Sequence, residues 1–260
     1  MDTEAVLELI QEVAAEVINP RFRALAEQDI VEKGPGDLVT IADRESEAIL
    51  TRELVAAHPD AVVIGEEAVF ATPALLEGIE QHDHVFLVDP VDGTRNFARG
   101  SVDHAVMVAE LRRGETTRGW IWQPQHHRAY VAERGAGATR NGQLISRRDP
   151  EKIVDAPDGR TSRSRWWGME DPFLGTVSRS AWCCGVDYPN VVEGVADYLV
   201  YVNAKPWDHA PGSLLLAEIG GAVLTRTGEP YTAGYSGPGL FCASTQALAE
   251  RVRTQWPTIG

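Results

Sequence analysis

Residues 85–97 read VFLVDPVDGTRNF, a short apolar run followed at once by two acids, a glycine and a hydroxyl. The apolar run, residues 85–88, has the length and composition of a buried strand. Because Pro90 cannot continue a central ladder, we expect the strand to end at Asp89. Open α/β sheets bind their ligands at the carboxyl ends of strands. The stretch therefore predicts a functional site at the end of this strand.

The two acids of this stretch, Asp89 and Asp92, predict a cation site. Carboxylates aimed at one point repel each other unless a proton or a metal lies between them. A hard divalent cation with oxygen ligands is the natural partner. Gly93 allows close approach of a backbone, and a helix that begins near Thr94 would offer free N–H groups to an anion. On this stretch alone, an Asp-rich turn that caps a helix is the alternative.

Two further stretches decide between these alternatives. An apolar run at residues 62–64 is followed by Gly65-Glu66-Glu67, and residues 205–221 read KPWDHAPGSLLLAEIGG. Together with DPVDGTRNF, these motifs resemble the inositol monophosphatase family of metal-dependent phosphatases, in the same order. The resemblance extends from Asp37 to Gly221. It implies an α/β (α+β) fold, a layered α/β/α/β/α sandwich, and a homodimer.

The resemblance also implies a site and a reaction, the hydrolysis of a phosphate monoester by a metal-activated water. Two or three Mg²⁺ ions would be the cofactors, and Li⁺ a possible inhibitor. The implied metal ligands are Glu67, Asp89, the carbonyl of Val91, Asp92 and Asp208. The residues implied to orient the water are Glu67, Thr94 and Asp43. The residues implied to bind substrate are Asp92, Gly93, Thr94, Cys183, Cys184 and Tyr201. Lys33 falls near a basic residue that the family keeps beside the site.

On the alcohol side of the substrate the chain departs from the family pattern. Trp182-Cys183-Cys184 replaces a Gly-Ser/Thr-Ala run, and Tyr201 stands where inositol phosphatases have an acid. A tyrosine can still form a hydrogen bond, but it brings no charge. The resemblance implies a small, inositol-phosphate-like metabolite as substrate, whereas these departures argue against myo-inositol phosphate itself. Open alternatives are a 3′-phosphoadenosine nucleotide, with Trp182 or Trp166-Trp167 stacking on the base, histidinol phosphate, fructose bisphosphate, and a catalytically silent regulatory role.

Composition excludes several classes of function. The formal net charge of -14 argues against binding to nucleic acid or to an anionic membrane. No signal peptide and no run of about twenty apolar residues is present, so we predict no membrane span. Three cysteines, two of them adjacent, do not form a disulfide framework, which favours a reducing cytoplasm. The histidines show no ligand spacing with the acids.

The order of patterns predicts two halves. Residues 1–150 predict helices on a largely antiparallel sheet that carries most metal ligands. Residues 151–260 predict alternating strands and helices that carry Asp208 and the alcohol-recognition residues. Residues 155–171 show no periodicity and predict a loop, either a flexible connector or a lid that contributes cations. Asp208 is expected to cap the helix that follows it.

Overall fold

Two mixed sheets, a hairpin and seven α-helices form the fold in the computed structural model, which describes residues 1–257. The helices are α1 (Thr3–Val13), α2 (Ile41–Ala57), α3 (Glu66–Ala71), α4 (Thr94–Ala98), α5 (Cys184–Val192), α6 (Pro206–Glu218) and α7 (Gln246–Gln255). The strands are β1 (Ile30–Gly34), β2 (Asp37–Thr40), β3 (Val62–Gly65), β4 (His84–Asp92), β5 (Ala105–Arg112), β6 (Glu115–Gln123), β7 (Arg128–Glu133), β8 (Gly137–Arg140), β9 (Gln143–Leu144), β10 (Asp158–Thr161), β11 (Glu170–Asp171), β12 (Gly175–Arg179), β13 (Tyr198–Tyr201), β14 (Ala222–Thr225) and β15 (Leu240–Ala243). Among the described helices, none has the length and apolarity that a membrane span requires.

The first sheet has the strand order β3-β4-β5-β6-β7-β8-β9. Within the described part of this sheet, the β3–β4 pair is parallel and the other pairs are antiparallel. Every residue of β4 is buried, as expected for a strand covered on both faces. Side chains alternate along it with the period of two that a strand imposes. Phe86 and Val88 pack in one apolar cluster with α1 and α2, whereas Val85 and Leu87 pack in another with Trp207 of α6.

The second sheet has the order β11-β12-β10-β13-β15-β14. Strand β10 is parallel to both of its neighbours, β12 and β13, and the remaining pairs of this sheet are antiparallel. Helix α7 covers one face through Leu248, Ala249 and Val252. The other face contributes Leu199 and Cys242 to a cluster shared with α5, α6 and the first sheet. The polypeptide is thus layered as helices, sheet, helices, sheet, helix, which confirms the predicted α/β/α/β/α sandwich.

Strand β4 does not end at Asp89, so the prediction that Pro90 terminates it is wrong. The strand continues to Asp92, with a register shift between Asp89, which pairs with Met107, and Asp92, which pairs with Ala105. Three steps along β4 thus match two along β5, the signature of a bulge. Pro90 lies inside the bulge, where proline is tolerated within a sheet.

Residues 155–171 are also not a plain loop. They contain β10, which lies in the interior of the second sheet between β12 and β13. The sequence of β10, DGRT, lacks the apolar residues that usually indicate a buried strand. Its Gly159 is required because the ring of Tyr198 packs directly against it. A Cβ on that glycine would lie 2.0 Å from Tyr198 Cζ. Trp166 is buried against Trp256, and only Ser162 and Arg163 of this segment reach the cavity described below.

The helix that carries Asp208 begins earlier than predicted. Lys205 is its N-cap residue and Pro206 its first residue, so Asp208 lies within the first turn rather than at the cap. Proline is favoured in the first turn because the N–H that it lacks has no partner there. The division of the chain near residue 150 stays a prediction. Helix α6 of the second half packs against β4, β5, β6 and β7 of the first, so the two halves share an extensive interface.

We expect Gly185→Ala to destabilise the protein by about 1–3 kcal/mol, because an added methyl overpacks the contact between α5 and β5. Its Cβ would lie 2.4 Å from the Cβ of Ala105. Gly34→Ala is the matched control, since nothing lies within 4 Å of its added Cβ. Thermal and urea unfolding of both variants measures the difference. Equal stability of the two would contradict this packing.

Candidate active site

A cavity of about 420 Å³ opens where β4 and β13 end and where α4, α5 and α6 begin. One wall is acidic and consists of Glu66, Asp89, Asp92 and Asp208. The rest of the lining includes hydroxyl, aromatic and basic side chains: Ser162, Arg163, Ser180, Trp182 and Tyr201. Gly93 and Thr94 also line the cavity. The structure therefore brings most of the predicted site residues into one cavity.

The bulge in β4 explains why Asp89 and Asp92 share a wall. Residues three apart on a regular strand point to opposite faces of the sheet. The extra residue of the bulge shifts that alternation by one, so both carboxylates turn to the same side. Asp92 Oδ2 accepts hydrogen bonds from Gly185 N at 2.5 Å and Cys183 Sγ at 3.0 Å. Asp89 Oδ1 accepts from Val91 N at 3.1 Å.

The acidic wall is costly for the fold. Burial raises the pKa of Asp89 and of Asp208 well above the usual range, and the neighbouring carboxylates, Glu66 first, raise both further. Burial also raises the pKa of Asp92 to about 6, against the hydrogen bonds from Cys183 and Gly185. Acids whose environments disfavour ionisation in a cleft mark candidate functional sites. Bringing a cation among them would remove this cost.

Glu66, rather than Glu67, lies on the cavity wall. Both acids begin α3, and Lys33 Nζ lies 3.1 Å from Glu66 Oε1 and 2.7 Å from Glu67 Oε1. The backbone N–H of Glu67 donates a hydrogen bond to the buried Glu47 carboxylate at 2.8 Å, which fixes the start of α3. The sequence does not distinguish two adjacent acids, since which one faces the cavity depends on where α3 begins.

Two lysines partly neutralise the acidic wall. Burial lowers the pKa of Lys33, but the Glu66 and Glu67 carboxylates outweigh it and hold that pKa above the usual value. The Lys33 side chain is 4% exposed, so the ion pairs are shielded from water. Lys205 Nζ lies 3.6 Å from Glu66 Oε1. Lys33 thus lies beside the site, where the resemblance had suggested a basic residue.

Thr94 and Asp43 form a hydrogen-bonded pair next to the cavity. Thr94 Oγ1 lies 3.0 Å from both Asp43 Oδ1 and the carbonyl oxygen of Val91, so its single proton has two acceptors. Asp43 also accepts from Thr40 N at 2.8 Å, as the third residue of a capping box at the start of α2. Burial raises the pKa of Asp43 to about 7, against the hydrogen bonds from Thr40 and Thr94.

Two cavity-lining residues among those described have a buried polar atom without a hydrogen-bond partner. Within residues 1–257, neither the Tyr201 hydroxyl nor Asp187 Oδ2 makes a hydrogen bond to a protein atom. Both residues line the cavity, and burial raises the pKa of Asp187 to about 7. An unpaired buried polar group costs about 1–3 kcal/mol. Sequence analysis did not single out Asp187, although its position one helical turn after Cys184 was the available signal.

The cavity contains no thiolate or imidazole that is free to bind a soft metal. Cys184, Asp208 and His209 bring ligand atoms within 4.8 Å of one another. However, His209 Nδ1 already pairs with the Tyr188 hydroxyl at 3.1 Å and Nε2 with the Asn203 carbonyl at 3.0 Å. Burial raises the pKa of Cys184 well above its usual value, which keeps the thiol protonated. The available donors are therefore oxygens.

A second histidine-containing group lies outside the cavity and was not expected from the sequence. His58, Asp60 and His84 have ligand atoms within 4.8 Å of one another. Asp60 Oδ2 already lies 3.0 Å from His84 Nδ1 and 3.6 Å from Arg112. The Asp60 carboxylate thus already has His84 and Arg112 as partners.

Comparison with known proteins identifies the family and agrees with the fold. The model of the family described as "Inositol monophosphatase family" matches residues 2–259. The chain is 33% identical over 242 residues to the inositol-1-monophosphatase of Rhizobium meliloti, covering 87% of this chain and 86% of that protein. It is 31% identical over 226 residues to a fructose-1,6-bisphosphatase/inositol-1-monophosphatase of Aquifex aeolicus, covering 83% and 82%. The solved structure of a Thermotoga maritima IMPase superposes with a TM-score of 0.78 at 23% identity, covering 96% of each chain.

The layered α/β/α/β/α sandwich and the family match over residues 2–259 place this chain in a family of phosphatases. The chain belongs to the inositol monophosphatase family.

We expect the metal-free protein to lose stability as the pH rises. Burial raises the pKa of Asp43 and Asp187 to about 7, whereas an unfolded Asp has a pKa near about 3.9. Their stabilising contribution is therefore complete below about pH 4 and is lost as the pH passes about 7. Thermal unfolding in EDTA at a series of pH values measures this decline.

Two variants separate titration of the wall from cation binding. Asp187→Asn should flatten the decline in melting temperature while keeping the increase that Mg²⁺ produces. Asp92→Asn should instead abolish the Mg²⁺-dependent increase. A melting temperature of the metal-free protein that is constant from pH 4 to pH 8 would contradict the burial of these acids.

Proposed function

We propose that this protein is a Mg²⁺-dependent phosphomonoesterase that hydrolyses a small phosphorylated metabolite. The observation that carries the proposal is the convergence of Glu66, Asp89, Asp92 and Asp208 on one cavity. The four acids outnumber the two lysines beside them, so the acidic wall by itself would repel a phosphate. A phosphatase needs the opposite sign of charge at this point, and divalent cations supply it.

The donor set fits magnesium. All candidate ligands are oxygens, and Mg²⁺ prefers carboxylate and carbonyl oxygens to nitrogen or sulfur. We propose that Glu66, Asp89, the Val91 carbonyl, Asp92 and Asp208 hold it, with Glu66 in place of the Glu67 expected from the sequence. Bound there, Mg²⁺ would lower the pKa of a water and neutralise charge on the phosphate.

Thr94 and Asp43 are the candidates for orienting the attacking water. The Thr94 hydroxyl donates to Asp43 or to Val91 O and keeps a lone pair for a hydrogen of a water in the cavity. Asp43, whose burial raises its pKa to about 7, exchanges a proton near neutral pH. Hydrolysis consumes one water and yields the alcohol and inorganic phosphate, so the proton released by the water ends on one of these products. We propose the backbone of Gly93 and Thr94 as the phosphate contact.

We propose that the part of the lining outside the acidic wall binds the alcohol. Tyr201 and Asp187 have unpaired polar atoms, and both line the cavity together with Cys183 and Cys184. Fructose bisphosphate, histidinol phosphate and 3′-phosphoadenosine nucleotides remain the alternative substrates. A regulatory role without catalysis is the alternative of a different class, since a 29% identical relative in Neisseria meningitidis is named Putative Nus factor SuhB. The complete acidic wall favours catalysis.

The remaining features follow the family proposal. We propose two or three Mg²⁺ ions in each site, a homodimer, a cytoplasmic location and no nucleic-acid partner. The proposed boundary between the two halves lies near residue 150. The net charge of -14 supports the absence of a nucleic-acid partner, because such binding depends on basic surface.

We expect Asp89→Asn to lower kcat at saturating Mg²⁺ by at least about 100-fold, since it removes a charge from the centre of the ligand set. Glu66→Gln should lower activity more than Glu67→Gln and should raise the Mg²⁺ concentration needed for half-maximal rate. Phosphate release from a panel of phosphorylated metabolites, with Mg²⁺ titrated, measures both effects. A larger loss in Glu67→Gln would restore the assignment made from the sequence.

We expect Li⁺ to inhibit the enzyme at fixed Mg²⁺ if Asp92 and Asp208 hold a cation beside the leaving group. A small monovalent cation with oxygen ligands competes for the same donors but brings half the charge. The measurement is the initial rate across a Li⁺ series, with Na⁺ at equal ionic strength as control. Equal rates in the two salts would contradict such a cation site, without bearing on hydrolysis itself.

A further inference from the structure

Two histidines and one aspartate lie together beside the first sheet, and none of the three is among the residues that line the cavity. His58 follows the last residue of α2, Asp60 lies in the turn before β3, and His84 is the first residue of β4. Their ligand atoms lie within 4.8 Å of one another. Around a tetrahedral metal with bonds of about 2.1 Å, ligand atoms are about 3.4 Å apart, so a small closure completes the set. These three residues are called the histidine group below.

The buried imidazole of His84 lies between two carboxylates. Its Nδ1 is 3.0 Å from Asp60 Oδ2, and its Nε2 is 2.9 Å from Glu110 Oε1. A neutral imidazole has one N–H, so one of these carboxylates faces a nitrogen lone pair unless a second proton or a metal lies between them.

The position of Glu110 indicates which nitrogen of His84 is available to a metal. The Glu110 side chain is only 4% exposed, and its charge favours the imidazole proton on Nε2. Within residues 1–257, Nε2 has no aligned hydrogen-bond partner, so this contact is electrostatic. A carboxylate behind a histidine is the usual support of a metal-bound imidazole. Nδ1, beside Asp60, is therefore the candidate ligand atom.

His58 suits the same role because its surroundings favour the neutral imidazole. Burial lowers the pKa of His58, and the Met1 amino group and His84 lower it further. Metal ions bind the neutral form of histidine. The ring lies edge-on to that of His84, with the two centroids 5.3 Å apart. Its Nε2 lies 3.0 Å from the Met1 amino nitrogen in an exposed contact, where water can replace either partner.

The charges around the group leave a place for a divalent cation. Glu110 pairs with Arg118 and, at 3.0 Å, with Arg112. Asp60 has only the longer contact of 3.6 Å to Arg112, and the side chains of that pair are 67% and 47% exposed. Exposed ion pairs contribute little to stability. A metal can therefore replace Arg112 beside Asp60 while Arg118 continues to neutralise Glu110.

We propose that the histidine group binds one zinc-type divalent metal ion through two imidazoles and a carboxylate. Imidazole ligands suit Zn²⁺, whereas the oxygen donors of the cavity suit Mg²⁺, so the two sites differ in the metal that they prefer. Three protein ligands leave a fourth position open. The ion would connect the end of α2 to the start of β4. Asp43 begins the same helix and Asp92 ends the same strand, so the ion would stabilise the framework of the cavity without entering it.

Binding of Zn²⁺ to the metal-depleted protein tests the proposal. Excess Mg²⁺ is kept present, so that the oxygen donors of the cavity are occupied. Calorimetric titration should then show one saturable Zn²⁺ for each chain. At a free concentration of about 100 times its Kd, Zn²⁺ should raise Tm by about 5 °C or more, because it binds the folded state. Raising Mg²⁺ further should produce no such increase.

Single substitutions locate the bound ion. Asp60→Asn and His58→Gln should each weaken Zn²⁺ binding by about tenfold or more, because each removes one ligand. The matched controls are Asp83→Asn and His82→Gln, which make the same changes outside the histidine group. The Asp83 side chain is 87% exposed and pairs with Arg113. Both controls should bind Zn²⁺ as the wild type does.

Two results would overturn the proposal. Absence of saturable Zn²⁺ binding in excess Mg²⁺ would assign the position between His84 and Asp60 to a proton. Equal Zn²⁺ affinity of the wild type, Asp60→Asn and His58→Gln would show that the ion binds elsewhere. Asp60 is exposed, so its variant should keep a Tm within a few degrees of wild type without Zn²⁺. Neither readout depends on hydrolysis, so the result is independent of the proposed phosphatase function.

Discussion

Mutual repulsion among buried carboxylates is the constraint on which the rest of this structure depends. Asp89, Asp92 and Asp208 each have a raised pKa because burial and neighbouring acids disfavour their charged forms. A fold rarely tolerates such a cluster without compensation. Here the compensation is limited to backbone and thiol donors and to Lys33 and Lys205. The cluster therefore makes sense as a cation site rather than as a structural element.

The two sheets meet this constraint by delivering acids from separate elements to one point. The first sheet supplies Asp89 and Asp92 through the bulge in β4, and the layer of helices between the sheets supplies Asp208. That layer is packed on both sides, because α6 shares one apolar cluster with strands of both sheets. Precise placement of repelling groups requires such rigid support. The five-layer architecture thus fixes the positions of the acids that line the cavity.

Short-range patterns predicted a large part of this arrangement, and three-dimensional context determined the rest. Strand β4 and the start of α4 at Thr94 followed from local motifs, whereas Asp208 was assigned to the same site as Asp89 only through the family resemblance. The motifs did not reveal the bulge, because a proline ends most strands and is tolerated only where the ladder is already broken. The resemblance implied Glu67, whereas Glu66 lines the cavity, because which of two adjacent acids faces a cavity depends on the phase of the helix.

Two hydrogen bonds link Asp92 of the acidic wall to the segment that begins with Trp182. Asp92 is held by Cys183 and by the backbone of Gly185, and both belong to the run that begins with Trp182. The residues proposed to contact the alcohol therefore also support an acid of the proposed cation site. On this assignment, a change in substrate choice would be coupled to cation affinity. An evolutionary path to a new substrate through residues 182–185 must preserve the donors to Asp92 at every step, which limits the accessible intermediates.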